Sequence, residues 1–181
     1  MPRWSIAFVR FIDRLNYRVG RFAMYLLFVL MAILMWSTVT KAVSTPSLWT
    51  LEMAQFVMVA YYILGGPYSM QMGSHVRMDL IYARWDMRRK AWTDAFTVFA
   101  LIIYLGVMLW GASDSLSYSL GLKWPDGSLL PEIGRLERSP TAWRPHLWPI
   151  KMVLFIGFLL MLLQSIAYLI RDIAIIRGKD F

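Results

Sequence analysis

The sequence lacks cysteine altogether, and it has few charged residues for its length. The absence of cysteine excludes disulfide bonds, thiolate metal sites, iron–sulfur ligation by cysteine and cysteine nucleophiles. Only 17% of the 181 residues are charged, whereas a typical soluble domain has about 25%. Hydrophobic residues make up 59% of the chain, and its mean hydropathy is +0.51. This balance indicates a single domain whose solvent is lipid rather than water.

Histidine is also scarce, and the residues that catalysis needs are not grouped. His75 and His146 lie outside the long apolar runs, on opposite sides of the expected membrane, so they cannot be paired axial ligands of a haem. Neither has a second histidine at metal-ligand spacing, and no phosphate-binding loop or nucleophile elbow is present. No internal repeat supports an inverted-repeat transporter core. We therefore expect no enzyme activity, no cofactor and no metal in this chain.

Four uninterrupted neutral segments of 19 to 22 residues are the strongest signal in the sequence. They run from Phe22 to Thr40, Met53 to Ser74, Ala95 to Ser113 and Met152 to Ile170. Each is close to the roughly 20 residues that a helix needs to cross the hydrocarbon core. The sequence thus predicts an all-α integral membrane protein with four transmembrane helices, at about 20–41, 47–73, 92–113 and 149–171. A signal peptide is the alternative for the first segment, but its leader and apolar run are both long for a signal, so we expect a retained signal anchor.

The positive charges are distributed unevenly between these segments. Thirteen of the 19 lysines and arginines precede the first span, lie between the second and the third, or follow the fourth. The other six lie in the two connections on the opposite side of the membrane. Because short connections rich in lysine and arginine stay in the cytoplasm, both termini are expected there.

Two segments outside the spans have the pattern of amphipathic helices on the membrane surface. In residues 3–18 and again in 77–90, apolar and basic residues recur on different helical faces at spacings of three and four. We predict an interfacial helix in each place; a solvated basic loop is the alternative. The outer connection, 114–148, is rich in proline and mixed in charge, and it is expected to be an ordered but irregular periplasmic loop.

A polar stripe follows one face of the second span, whose start we place at Thr45-Pro46. Its members include Glu52, Gln55, Tyr62 and Gly66. Such a stripe is costly in contact with lipid, so it should face another helix, either in this chain or in a partner. Glu52 is either a proton or cation site or a structural carboxylate, paired and favoured by the helix N-terminus. We prefer the structural interpretation because no second acidic residue lies within any span to form a relay.

The fourth span contains one deep amide and begins with an aromatic and a charged residue. Gln164 is expected to hydrogen-bond across helices, which makes it a second candidate for a helix or subunit interface. Trp148 and Lys151 lie at the outer end, where the tryptophan anchors the helix and the lysine can extend to the membrane surface. A positively charged docking site is the alternative for Lys151.

The stretch after the second span combines a histidine, an arginine and an aspartate within five positions. His75, Arg77 and Asp79 fall at the expected cytoplasmic interface, and Trp85 follows in the predicted surface helix. Arg77 can reach lipid phosphate there, and Asp79 can cap or pair as the chain turns. We interpret this motif as membrane-edge architecture rather than as an active site.

Four short motifs, between the start of the second span and the start of the fourth, stand in a fixed order relative to the spans. They are Trp49-x-x-Glu52, Gly65-Gly66-Pro67-Tyr68, His75-Val76-Arg77-Met78-Asp79-Leu80 and Trp148-Pro149-Ile150-Lys151. In this arrangement the sequence resembles the small membrane subunit of tripartite ATP-independent periplasmic (TRAP) transporters.

The resemblance implies a sodium-driven uptake system of the bacterial inner membrane. Such a system has a periplasmic substrate-binding protein, a large membrane subunit that carries substrate and sodium by an elevator motion, and a small subunit like this one. The small subunit is implied to be a scaffold that steadies the large one and can help to seat the binding protein. The substrates implied are organic acids, such as dicarboxylates, keto acids and sugar acids. Membrane lipids are further partners, and nucleic acid is not one.

The residues by themselves leave two other functions open. One is a self-sufficient four-helix carrier in which Glu52 is the ionisable centre. The other is an accessory subunit of a different membrane complex, which would share every feature except the family resemblance.

Overall fold

The computed structural model describes residues 3–43, 45–72, 87–123 and 132–176. Four helices account for most of them: α1 (Arg3–Val43), α2 (Thr50–Gln71), α3 (Met87–Ser119) and α4 (Trp148–Ile176). After α3, two strands of two residues each, β1 (Leu122–Lys123) and β2 (Glu132–Ile133), pair in antiparallel register, with Leu122 opposite Ile133. The all-α class predicted from the sequence is confirmed, with this short strand pair as an addition in the outer connection.

Three of the helices are long and apolar enough to cross a membrane. By length and composition these are Trp4–Val43, Trp92–Ser119 and Trp148–Ile176 of the described chain. Helix α2 has 22 residues, roughly 33 Å at 1.5 Å per residue, which matches the hydrocarbon core. No membrane-length stretch of α2 is as apolar as those in the other three helices, because tyrosines, glycines and Glu52 interrupt it. The second predicted span therefore has the length of a membrane helix but a less continuous apolar run.

Helix α1 is continuous over 41 residues, whereas the sequence analysis expected a separate surface helix at 3–18. No proline interrupts this region, and a single glycine disfavours a helix by only about 1 kcal/mol. Gly20 instead allows α1 to approach α2, because a Cβ at this position would overlap the side chain of Tyr68. At about 60 Å, α1 is roughly twice as long as the hydrocarbon core is thick, so part of it extends beyond that core.

The helices lie in a row in the order α1, α2, α4, α3, and α1 also reaches α4. Helices α1 and α2 run antiparallel: Thr50 contacts Ser37 at one end of the pair, and the rings of Tyr17 and Tyr68 are 5.9 Å apart at the other. Among the described helices, α3 packs extensively on α4 alone. The result is a broad layer rather than a closed four-helix bundle.

Small residues allow α2 and α4 to pack closely. A Cβ at Gly66 would lie 2.9 Å from Sδ of Met161, and one at Gly157 would overlap the side chain of Ile63 and lie 3.2 Å from its carbonyl oxygen. That carbonyl has lost its helical hydrogen bond, because Pro67, four residues later, has no N–H to donate. The backbone of α4 packs against the freed oxygen. Close packing of this kind drives helix association where lipid removes the hydrophobic effect between helices.

Helix α2 begins at Thr50, with Trp49 at the N-cap, so the start expected at Thr45-Pro46 is wrong. Thr50 is buried, and its hydroxyl lies 2.9 Å from that of Ser47 and 3.3 Å from that of Ser37 in α1. These contacts with α1 determine where the helix starts, and local capping signals do not report them. Glu52 consequently lies in the first turn of α2 rather than further inside.

Two other expected boundaries move because helices continue further than the neutral segments. Helix α3 begins at Met87, so the last residues of the surface helix predicted at 77–90 belong to α3, and the rest of that prediction lies outside the described residues. Helix α3 also continues to Ser119, which shortens the outer connection from 114–148 to 120–147.

Candidate subunit-assembly site

A polar junction joins α1, α2 and α4 on the side where α1 begins. Gln164 of α4 is completely buried; it accepts a hydrogen bond from Nδ2 of Asn16 at 2.6 Å and donates one to Oδ1 of Asp13 at 3.2 Å. Asp13 also forms an ion pair with Arg171, and its backbone carbonyl accepts a hydrogen bond from Nε2 of Gln71 at 3.0 Å. Three helices are thus connected through a single carboxylate and its neighbours.

Asp13 and Asn16 were not singled out as site residues from the sequence. Asp13 is the only acidic residue among the five arginines that precede position 22, and Asn16 follows it by three residues, on the same face of a helix. A single acidic residue in an otherwise basic helix is the signal in the sequence that Asp13 has a buried partner. It was hidden by the amphipathic pattern, which assigned the segment to the membrane surface.

The polar stripe predicted on α2 is divided by the packing. Glu52 is only 5% exposed, in a first turn whose free N–H groups favour a carboxylate. Neither of its carboxylate oxygens has a hydrogen-bond partner in the described part of the chain. Gly66 faces α4. Gln55 and Tyr62 are exposed instead, Tyr62 by 65%, so the helices that the structure describes leave most of these two side chains uncovered.

A groove of about 510 Å³ lies between α1 and α2, and we call it the α1/α2 groove. Its lining includes Gly20, Tyr62, Gly65 and Ser69. A Cβ at Gly65 would meet no atom within 4 Å, so the backbone of α2 is open at this point. Exposed backbone beside small and hydroxyl-bearing side chains is the type of surface on which a second membrane helix packs closely.

At the opposite end of the molecule, Lys151 holds the outer connection against α3 and α4. Its Nζ donates to Oε2 of Glu137 at 2.5 Å and to the carbonyl oxygen of Ser115 at 3.3 Å. It also lies 5.7 Å from the ring centroid of Tyr118. The hydrogen bond from Lys151 holds the pKa of Glu137 below its usual 4.5, although partial burial acts in the opposite direction. Trp148, the first residue of α4, is half-buried beside this contact.

The membrane-edge motif predicted at His75, Arg77, Asp79 and Trp85 lies outside the described residues. Its role therefore stays a prediction. Within the described ranges, no group of three or more histidine, aspartate or glutamate residues is placed to hold a metal ion.

The comparison with protein families gives one match that covers most of the chain. Residues 30–175 match the family model described as the DctQ component of tripartite ATP-independent periplasmic transporters. The chain belongs to the DctQ family. DctQ proteins are the small membrane component of a transporter that also has a large membrane subunit and a binding protein. Searches of curated proteins and of solved structures found no match. The DctQ match begins within α1, so Asp13 and Asn16 precede it, whereas Gln164 and Arg171 lie inside it.

Proposed function

We propose that this chain is the non-catalytic scaffold subunit of a sodium-driven TRAP system that takes up organic acids. It crosses the inner membrane four times with both termini in the cytoplasm, stabilises the large subunit, and helps to seat the periplasmic binding protein. Sodium and substrate are bound by the large subunit, and this chain needs no cofactor. Membership of the DctQ family supports the place in a transporter, and the distribution of 13 positive charges against six supports the orientation.

The exposed face of α2 is the observation that carries the scaffold role. Gln55 and Tyr62 are exposed on a helix of membrane length, next to the open backbone of Gly65. An unpaired amide or hydroxyl costs about 1–3 kcal/mol in an apolar environment. A second protein subunit that covers this face would remove that cost and supply hydrogen-bond partners. The modest hydropathy of α2 has the same explanation, because a helix packed between subunits needs little lipid-facing surface.

Two features of Glu52 support a structural role over that of a carrier site. It lies in the first turn of α2, at one end of the helix, and it is 5% exposed in this chain. A transported ion must reach its carboxylate from both sides of the membrane in turn. The position fits a carboxylate that is favoured by the free N–H groups at the start of a helix.

Reconstitution with Glu52→Gln distinguishes the scaffold from the self-sufficient carrier. We expect liposomes that contain this chain alone to show no sodium-dependent uptake, and liposomes with both membrane subunits and the binding protein to show it. Glu52→Gln should preserve the sodium dependence of uptake per assembled complex and at most reduce the amount of complex. Asp114→Asn, at an exposed carboxylate near the end of α3, is the matched control. Uptake by the chain alone, or loss of sodium-dependent uptake from an intact Glu52→Gln complex, would contradict the proposal.

A further inference from the structure

The outer connection contains a basic pocket for which the described chain supplies no counter-charge. The pocket, of about 610 Å³, is lined by residues that include Arg135, Arg138, Arg144 and His146. All three arginines are exposed. No carboxylate whose side chain the structure describes pairs with them, and Glu137, between two of them in sequence, is bound to Lys151 instead. Three guanidinium groups around one cavity are suited to bidentate binding of carboxylates.

Hydrogen bonds of the backbone hold this pocket in a defined shape. The N–H of Ser139 donates to the carbonyl of Pro145 at 2.9 Å, which closes a turn with Arg138 and Arg144 beside its two ends. Arg138 and His146 also form an isolated antiparallel bridge. Two further bonds attach the loop to the end of α3 and to the turn that follows it: Glu137 N–H donates to the Ser119 carbonyl at 3.0 Å, and Gly134 N–H donates to the Gly121 carbonyl at 2.8 Å.

Arg144 has a positive φ of 48°, a backbone conformation that glycine adopts without strain and other residues rarely adopt. An arginine is present there in spite of its conformational cost, which favours a role for its side chain. His146 adds a polar atom that is free to bind a ligand: its Nδ1 is buried and has no hydrogen-bond partner in the described part of the chain.

We propose that this pocket, formed by Arg135, Arg138, Arg144 and His146, binds acidic side chains on the surface of the periplasmic substrate-binding protein. The inference rests on the proposed function, which places the outer connection in the periplasm. A free anion would gain little from guanidinium groups that stay in water. A protein surface brings several carboxylates at once and removes the pairs from solvent, and unneutralised positive charge accelerates the encounter with such a surface.

Binding of the purified binding protein to the two-subunit membrane complex in phosphatidylcholine nanodiscs tests the inference. The variant is Arg138→Glu with Arg144→Glu, and the matched control is Lys41→Glu, an exposed lysine at the end of α1 on the same predicted side of the membrane. We expect at least a tenfold loss of affinity for the double variant and less than a twofold change for the control. Wild-type affinity should fall as choline chloride is added at constant sodium, and this dependence should weaken in the variant.

Arg144→Gly separates loss of charge from loss of loop structure, since glycine accepts the positive φ at this position. It should weaken binding by several-fold while the complex stays assembled. Unchanged affinity in the charge-reversal variant, or an equal loss with Lys41→Glu, would overturn the inference. The same measurement is made in nanodiscs that contain phosphatidylglycerol. A loss of affinity seen only in those nanodiscs would also overturn the inference, because it would assign the pocket to lipid headgroups. The proposed function has a separate test: it fails if the wild-type chain does not co-purify with the large subunit.

Discussion

Gly65→Leu tests whether the exposed face of α2 is covered by a second subunit. In the described part of the chain a Cβ at Gly65 meets no atom within 4 Å, and the adjacent α1/α2 groove offers space for the rest of a leucine side chain. Leucine is also favoured over glycine in a helix interior, by roughly 0.8–1 kcal/mol. The isolated chain should therefore fold at least as well as the wild type.

In the assembled transporter the same leucine would enter the subunit interface. Extra methyl groups in a well-packed region typically cost about 1–3 kcal/mol. Since 1.4 kcal/mol corresponds to a factor of ten, this predicts association weaker by about 5- to 150-fold. Gly65→Ala adds only one carbon atom, so the weakening of association that it causes should be at or below the lower end of this range. The graded series distinguishes a steric effect from an unrelated folding fault.

Gly106→Leu in α3 is the matched control for this experiment. It makes the same chemical change in a membrane-length helix, at a second position where a Cβ meets no atom within 4 Å. The assay is the ratio of this chain to a tagged large subunit after co-purification, together with the thermal unfolding midpoint of the chain alone. We expect a reduced ratio for Gly65→Leu and an unchanged ratio for Gly106→Leu. A wild-type ratio for Gly65→Leu would refute the assignment of the α2 face to the partner.

Two further predictions concern the polar contacts at the two ends of the chain. Gln164→Leu removes the hydrogen bonds to Asn16 and Asp13 and should lower the free energy of unfolding by about 1–2 kcal/mol in a detergent titration, since hydrogen bonds between membrane helices contribute about 0.6 kcal/mol on average. Ser165→Ala, which removes only a hydroxyl bonded within its own helix, should change this free energy much less, and equal effects would contradict the argument. The pKa of Glu137 is lowered below 4.5, so its ion pair with Lys151 is fully formed above about pH 4.5 and is lost as the pH falls through the lowered value. Hydrogen exchange at the Leu147 amide, which donates to the Glu137 carbonyl, should therefore accelerate in acid beyond its intrinsic pH dependence in the wild type but show no such step in Glu137→Gln.

The sequence predicts that Gln164 hydrogen-bonds across helices but does not reveal its partner. Asn16 precedes it by 148 residues, and no local pattern connects positions so far apart. The N-terminal segment does have an amphipathic period, but that period fits two structures: a separate helix on the membrane surface, or the first part of a long helix that packs on its own chain. Val9 is buried while Trp4 is 88% exposed, so this part of α1 has one apolar face covered by its own chain and another directed outward. Periodicity alone could not separate this arrangement, in which α1 packs on its own chain, from a helix with a single apolar face that lies in lipid.

The stripe on α2 shows a second limit of the same kind. Spacings of three and four place these residues on one stripe, but they do not say which surface covers each one. Glu52 and Gly66 are on the inner side of the stripe, and Gln55 and Tyr62 are on its outer side. A contact within the chain and the proposed contact with a partner would favour the same polar and small side chains, because both replace lipid by protein. Only the packing of α1 and α4 around α2 separates the covered part of the stripe from its exposed part.

The distribution of charge and small residues along the row of helices supports a rigid role within the transporter. Two ion pairs, Asp13 with Arg171 and Glu137 with Lys151, lie towards opposite ends of α4 and keep partial exposure to solvent. Exposure at these ends limits the desolvation cost that an ion pair would have in the apolar middle. Between them α4 is held by close packing, with Gly157 directly against the carbonyl of Ile63. A helix layer joined by polar contacts at both ends and by interlocked backbone in the middle has few ways to bend. That is the mechanical property that the proposed scaffold role requires.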